Sequence, residues 1–586
     1  VTWAITGTGL VSSLGRDVGE SFDAFCRARS GVHPLRTFDP SKYRVQTAYE
    51  MPDRGGAVDR PGRASTWLCE SIRQALTQAG LADVARCDPA PRIPVVVGTG
   101  LAEQRSLELW WTQGVALSPD RLHFAGAVAR ELGLLDTTTL VNACSASLFA
   151  LAVATDLLAL GEADAVVVAG TDAITESMVG LLDRVSARPP SEVRPFDADR
   201  RGVLLGEGAA AVVIEAPRRA AARGASPRAL LRGVGTACDA HHVTAPLRAG
   251  MARAFRDAHD RAGIDPGQVG LIMAHATGTH LNDETEALAL ADVFGPAVGR
   301  PLVTALKSLI GHTSGASGLM SLVTAIAALD AGRITPTLNC ATPIAAAAGL
   351  RLVIGESRST AARTAQVNAF GFGGVNAVAV FEREPPPTTA TTVSTVESAG
   401  VHRAAGAVWR REPDPERSVV VTGIGLAIPG VGSVDHLLAG TGRTAAPDGF
   451  DPVPVLGRRG LRYKDHATVL GLCAAARALA DAVLPVPEVG GEPATEFGVV
   501  VSTTLAIAQT VCRAADTIHA GGVEATSPMD LPNVSGNVAA SSIAIWFRLA
   551  GLNLTVSTGA VSGVAALYLA TNAIRAGRAQ RMLVVG

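Results

Sequence analysis

The chain has 586 residues, a formal net charge of −2 and a hydrophobic content of 48% with 62 glycines. That length holds several domains with ample buried core, and the near-neutral charge argues against a nucleic-acid binder. No apolar run reaches the roughly 18 residues of a spanning helix, so no membrane segment is expected.

The first residues, Val1-Thr2-Trp3-Ala4-Ile5-Thr6-Gly7, read as a strand rather than as a charged leader with an apolar core. Short Val-rich runs such as Val95-Val96-Val97-Gly98 and Ala165-Val166-Val167-Val168-Ala169-Gly170 then alternate with Ala/Leu-rich stretches. This pattern predicts an α/β fold with helices packed on largely buried sheets. Eight cysteines stand at positions 26, 69, 87, 144, 238, 340, 473 and 512, and none forms a CxxC pair. Neither a disulfide framework nor a zinc site is expected, and the pattern suits a reducing cytoplasm.

Cys144 has a context of its own. In Leu140-Val141-Asn142-Ala143-Cys144-Ser145-Ala146-Ser147 a strand-like run breaks into small residues and opens a helix. The amide dipoles at a helix start favour thiolate over thiol and make a better nucleophile. Three later segments flank strand-like runs. Ala274-His275-Ala276-Thr277-Gly278-Thr279-His280 follows Gly270–Met273, and Lys307-Ser308-Leu309-Ile310-Gly311-His312 follows Leu302–Ala305. Asn368-Ala369-Phe370-Gly371-Phe372-Gly373-Gly374-Val375-Asn376 precedes Ala377–Val380. Polar or Gly-rich chain at strand ends is where α/β folds place their sites.

Residues 385–416, opening on Pro385-Pro386-Pro387, are rich in Pro, Thr, Ser and Ala and read as a linker. Beyond it the first pattern returns. Gly7 and Gly423, Cys144 and Gly559, and Gly170 and Gly586 lie 416, 415 and 416 residues apart, which is a duplication. In this alignment Gly559 stands at the cysteine position, so the second copy lacks the nucleophile. It stops on a strand, before any counterpart of the later segments. An uncovered apolar edge is a liability, so the expectation is a truncated chain or a part supplied by something else.

With these motifs in order, residues 1–384 resemble a beta-ketoacyl synthase of the elongating Cys-His-His branch. Arg194-Pro195-Phe196-Asp197 and Leu205-Gly206-Glu207-Gly208 belong to the same resemblance. It implies a thiolase-like five-layered α-β-α-β-α fold, duplicated, with the second copy incomplete. The domains would be a catalytic one at 1–384 (halves at about 1–250 and 251–384), the linker, and 417–586. The implied chemistry is decarboxylative Claisen condensation of a malonyl unit with a Cys-bound acyl chain. Cys144 would be the nucleophile, His275 and His312 would bind the malonyl thioester carbonyl, and Lys307 would orient His312. The backbone N–H groups of Cys144 and Phe372 would form the oxyanion hole. Phe370 and Phe372 would gate the two half-reactions, and Thr277 and Thr279 would hold the phosphopantetheine arm. No metal or bound cofactor is implied; the substrates ride on an acyl carrier protein.

Three departures stand out: Ala276 replaces the usual Gly, Ser321 lies where relatives carry a Glu near the lysine, and Ser118–His123 is an unusual form of its loop. The second copy resembles a chain length factor, which usually has Gln at the cysteine position, so Gly559 argues against decarboxylase priming. A decayed duplicate kept as a dimerisation scaffold is the other reading. The expected partners are the carrier protein and either a homodimer or an intramolecular pseudo-dimer through the N-terminal halves. In that pseudo-dimer Met529 and Leu531 line the tunnel from Cys144. The alternatives for the whole chain are a non-condensing acyltransferase or a non-catalytic assembly subunit.

Overall fold

The computed structural model describes residues 2–52, 59–82, 91–383, 418–431, 434–439, 450–487, 491–505 and 507–586, so the expected linker at 385–416 lies outside the described residues. The N-terminal half of the first copy is built mainly on β1 (Trp3–Ser12), α1 (Arg63–Gln78), β2 (Val95–Thr99), α2 (Gln104–Gln113), β3 (Thr137–Val141), α3 (Ala146–Ala159), β4 (Ala165–Asp172), α4 (Glu176–Val185) and β5 (Gly208–Glu215). Its C-terminal half adds β6 (Ala229–Cys238), α5 (Arg248–Ala262), β7 (Leu271–Met273), α6 (His280–Phe294), β8 (Leu302–Thr304), α7 (Ser317–Ala331), β9 (Arg351–Leu352), β10 (Thr364–Gly371) and β11 (Val375–Glu382). The second copy contributes α8 (His466–Asp481), β12 (Phe497–Ser502), α9 (Ala508–Gly521), α10 (Val538–Phe547), β13 (Asn553–Val556), α11 (Ser562–Arg575) and β14 (Arg581–Val585).

These strands form one continuous sheet in the order β9-β8-β7-β10-β11-β6-β1-β5-β4-β2-β3-β13-β12-β14. Helix α1 covers β1, β4 and β5 from outside, and α5 with α6 covers β6 and β11. Between them lie α3, against β2, β4, β6 and β11, and α7, against β1, β5, β7 and β10. The first copy is therefore layered α-β-α-β-α. Both central helices are apolar all round because both sides face sheet. Residues 314–331 are long and apolar enough to cross a membrane, contrary to the sequence expectation, but 83% of that window is buried inside the protein. Hydropathy alone does not separate such a core helix from a spanning one.

The second copy joins the first edge to edge. β3 and β13 pair antiparallel with Leu140 opposite Val556. These two residues are equivalent, 416 apart, so a local two-fold passes between the copies. Related hydrogen bonds obey it: Thr555 N–H donates to Asn142 Oδ1 at 2.8 Å, and Thr139 N–H donates to Thr558 Oγ1 at 3.2 Å. The offset is not constant, however. It is 403 between α1 and α8 and 404 between Val95 and Val499, because intervening loops differ in length. Residues 418–428, the repeat of β1, form no strand. In the first copy that segment sits between β5 and β6, which have no counterparts among the described second-copy residues.

Candidate active site

The nucleophile turn runs from β3 through a 3-10 turn, Ala143–Ser145, into α3. Ala143 has φ of 47°, an unusual value for a residue with a Cβ, and this kink sets Cys144 at the helix start. Two ties hold the turn. Ser145 Oγ donates to Val375 O at 2.9 Å, and the wholly buried Asn142 donates from Nδ2 to Asn553 O of the second copy at 2.6 Å. The second copy repeats the turn as Gly559–Val561 followed by α11. Gly559, with φ of 76°, matches Ala143, so the residue equivalent to Cys144 is Ala560 and not Gly559. The positive-φ position defines the register here, where a row of small residues allows a one-residue slip. The conclusion that the second copy has no nucleophile is unchanged.

Cys144 opens into a cavity of about 880 Å³. Cys144 Sγ and a ring nitrogen from each of His275 and His312 all lie within 4.8 Å of one another. The two imidazoles meet edge to face with centroids 5.4 Å apart. Ser314 N–H donates to His312 Nδ1 at 3.2 Å, which leaves the proton on Nε2. Lys307 Nζ lies 3.2 Å from His275 Nδ1 and by donating there imposes the same tautomer. Burial, with Lys307 beside them, pushes both imidazoles well below the usual histidine range. Two neutral rings thus each carry an Nε2–H. A thiol and two imidazoles are also a metal-ligand set, but the ammonium of Lys307 opposes a cation there.

The lysine partners differ from the expectation. Its ammonium touches His275 rather than His312, and the carboxylates that favour its charge are Glu286 and Asp283 of α6. Burial lowers Lys307 to about 8 despite them. Ser321 is buried on α7, so the charge a Glu would carry there comes instead from α6. Glu286 accepts the N–H groups of His275 and Ala276, both at 2.8 Å, and Asn368 Nδ2 at 2.9 Å. Sequence reading missed Glu286. Its only signal was the i, i+3 spacing from Asp283 on one helix face.

Burial pushes the Cys144 thiol up to about 11, while Lys307 and the N–H groups of Phe372 and Cys144 pull it down. The helix start therefore does not make a resting thiolate, because desolvation outweighs it. Asp172, at the end of β4, lies near the sulfur and is itself raised to about 6 by burial. It accepts from Thr99 Oγ1 at 2.6 Å, Leu101 N at 2.8 Å and Gly315 N at 2.7 Å, bracing the loops on either side of the cysteine.

The remaining predicted residues line the same cavity. Phe370 stacks edge-on to His275 at 5.6 Å, and Phe372 directs its N–H at the Cys144 sulfur. Thr277 and Thr279 hydrogen-bond each other at 2.9 Å between oxygens. Met529 and Leu531 reach in from the second copy, joined by Pro528, Pro532 and Ser535, which sequence reading did not single out.

Known proteins resemble this chain in sequence and fold. The Beta-ketoacyl synthase, N-terminal domain matches residues 3–220 and again 441–586, and the Beta-ketoacyl synthase, C-terminal domain matches 228–341. The chain belongs to the beta-ketoacyl synthase family. The 3-oxoacyl-[acyl-carrier-protein] synthase 2 of Coxiella burnetii is 32% identical over 407 residues, 65% of this chain and 98% of the relative. Its Staphylococcus aureus namesake is 31% identical over 405 residues, 64% and 100%. Among solved structures, the ishigamide ketosynthase/chain length factor superposes with a TM-score of 0.60 at 32% identity, covering 66% of this chain and 99% of the other. The PfaC Keto synthase-Chain length factor covers all of this chain and 73% of its own, with a TM-score of 0.78. At 19% identity that second match is a likeness of fold alone. In this beta-ketoacyl synthase the N-terminal domain thus matches at two places and the C-terminal domain follows the first of them.

Proposed function

We propose that residues 1–384 form a decarboxylating ketosynthase that joins a carrier-bound malonyl unit to an acyl chain held on Cys144. The observation that carries this reading is the convergence of one thiol, two imidazole N–H donors and the Phe372 N–H on one cavity. In the first half-reaction Cys144 Sγ attacks the thioester carbonyl of an acyl chain on phosphopantetheine. The new C–S bond forms, the carrier sulfur leaves, and the thiol proton of Cys144 passes to it. The N–H groups of Phe372 and Cys144 stabilise the negative oxygen between these steps.

In the second half-reaction the malonyl thioester oxygen lies against Nε2–H of His275 and His312. Carbon dioxide leaves, and the electron pair it leaves behind forms an enolate, which neutral N–H donors stabilise. The enolate carbon attacks the acyl carbonyl, the C–C bond forms, and Cys144 leaves as thiolate, which takes up a proton from solvent. Thr277 and Thr279 hold the pantetheine arm, and Phe370 and Phe372 gate the exchange of substrates. The chemistry needs no metal or nucleotide. The tandem organisation and the likeness to a ketosynthase/chain length factor favour polyketide over housekeeping fatty-acid synthesis. The seven described cysteines are all unpaired, in keeping with a reducing cytoplasm.

Residues 417–586, tethered by 385–416, act in this reading as the in-chain partner of the first copy and wall its acyl cavity. Support for a pseudo-dimer over self-pairing of the first copy comes from charge. Arg578 is buried, 2.5 Å from Asp156 Oδ2 and 3.0 Å from Thr155 Oγ1. The residue equivalent to Arg578 in the first copy is Glu162. Self-pairing would set Glu162 against Asp156, two carboxylates in a dry interface. Replacing Leu531 by Trp should shorten the product by a few extension units, read by mass spectrometry of released chains. An unchanged distribution counts against the second copy as cavity wall.

The deciding experiment loads Cys144 from an acyl carrier donor, then adds malonyl carrier and follows both the extended chain and carbon dioxide by mass spectrometry. Loading, extension and carbon dioxide in equal amounts support condensation. A second reading, acyl transfer without condensation, draws on Ala276. It follows His275, is fully buried and holds φ of 31°, a strained value for alanine. Loading without extension or carbon dioxide would favour it.

A further inference from the structure

The backbone of the gate segment is anchored from three sides. Gly373 N–H donates to Val243 O at 2.7 Å, and Gly374 O accepts from Asp239 N at 2.8 Å. Phe372 O accepts from Asn537 Nδ2 at 2.8 Å. The first two anchors are backbone groups of the first copy. The third is a side chain of the second copy, at the start of α10.

Asn537 is 1% exposed and its amide is fixed. Ser535 Oγ donates to Oδ1 at 2.6 Å, and Nδ2 lies 3.1 Å from Ser541 Oγ. The donor face is therefore turned to the gate. The approach is close: a Cβ on Gly373 would sit 1.9 Å from Ser541 Oγ and 3.1 Å from Asn537 Nδ2. Gly373 also has φ of 87°, so no other residue serves there.

Phe372 is held at both ends. Its carbonyl meets Asn537, and its N–H points at Cys144 Sγ. Only the φ and ψ of one residue separate the two groups, so fixing the carbonyl restricts the direction of the N–H. The neighbouring glycines would otherwise let the segment turn, and a donor to a developing oxyanion works only when its direction is set beforehand.

We propose that Asn537 is a positioning residue for acyl transfer: the second copy holds the Phe372 carbonyl and so keeps the Phe372 N–H aimed at the oxyanion formed on Cys144. This rests on the acyl-transfer reading above. It gives the second copy, which has lost its own nucleophile, a part in the chemical step of the first.

Asn537→Asp in the full chain keeps the shape and removes the donor when ionised. Asn537→Ala removes it without adding charge. Acylation of Cys144 by a saturating acyl-carrier donor should slow about tenfold in both, less than the roughly hundredfold or greater loss of a direct oxyanion donor. The KM for that donor should stay within about twofold, since the arm-binding residues are untouched. Alkylation of Cys144 by iodoacetamide, which displaces iodide and forms no oxyanion, should also stay within about twofold. The acylation deficit of Asn537→Asp, but not of Asn537→Ala, should shrink as pH falls and the carboxyl regains a proton to donate. Unchanged acylation in both variants overturns the proposal, as does a parallel fall in alkylation, which would mark a general collapse of the site. A wild-type chain that forms no acyl-enzyme refutes the underlying reading instead, a result visible before any variant is made.

Discussion

The two nucleophile turns share a backbone and differ in almost everything around it. In the first copy every residue from Ala146 to Leu158 of α3 is buried, and Cys144 faces a cavity of about 880 Å³. In the second, Val564, Leu567 and Tyr568 of α11 are exposed, and Ala560 is exposed beside them. The crevice next to the second turn, lined by Thr504, Ser557 and Leu122 of the first copy, holds about 40 Å³. Leu122 enters it much as Leu531 enters the first cavity. The strand-turn-helix is thus only a holder. In the proposed function, reactivity comes from what the C-terminal half sets against it: two neutral imidazoles, a buried lysine and the gate.

The largest expected effect comes from making the first turn like the second. Cys144→Ala should abolish acyl loading, a loss of roughly four orders of magnitude or more, since removing a covalent nucleophile leaves only binding and electrostatic assistance. Thermal melting should move by no more than about 2 °C, because Cys144 lines the cavity and the substitution removes a single heavy atom there. Residual loading above about 1% would mean that another group carries the acyl chain.

The next effect concerns how the copies are held together. Arg578→Glu places two carboxylates in the interface around Asp156 and should cost about 3–5 kcal/mol, the usual size for a broken buried pair. Denaturant unfolding should then show the second copy separating before the first. Combining Arg578→Asp with Asp156→Arg should recover only part of the loss, because Val234 O and Ala152 O accept from the guanidinium when the arginine is on the second copy. A variant as stable as the wild type would remove the charge argument against self-pairing.

Much of the candidate site was legible because each member follows a strand end, where periodicity stops and polar chain begins. Cys144, His275, Lys307 and His312 all sit at such breaks. Glu286 does not: it lies two turns into a helix, and its role appears only when α6 folds back on the backbone of His275. The pairing of Lys307 with His275 was hidden for the same reason, since it depends on tertiary placement. The Gly559 register failed because small residues look alike in sequence while positive φ tells them apart. Asn537 was out of reach, since it meets Phe372 across 165 residues of chain. The repeat of β1 at 418–428 lacks strand pairing because a strand needs its neighbours as well as its own pattern.

A smaller effect tests the electrostatics around the first turn. Burial holds Cys144 near 11, and Lys307 is the main charge that lowers it. Lys307→Met keeps the side-chain volume and removes that charge, so the thiol should titrate higher still. Iodoacetamide labelling of Cys144 at pH 7 should slow by roughly tenfold, one pH unit of thiolate population. Because Lys307 itself is lowered to about 8, wild type loses this assistance as pH rises through that value. The gap between the two proteins should therefore close above about pH 8. A gap that stays constant well into the alkaline range would show that Lys307 acts through His275 rather than on the sulfur.

The smallest effect comes from rearming the second turn. Ala560→Cys restores a thiol at the position equivalent to Cys144, yet no counterpart of His275, Lys307 or His312 stands near it among the described residues. The imidazole that does lie there is His123 of the first copy, packed against Gly559. The new thiol is exposed, so iodoacetamide should label it at the rate of an ordinary surface cysteine. Carrier-borne acyl groups should load Cys144 alone, with stoichiometry unchanged at one per chain by intact mass. If the introduced thiol also accepted an acyl group, the turn itself would supply the reactivity, and the surroundings built by the C-terminal half would be needed only for the decarboxylation that follows.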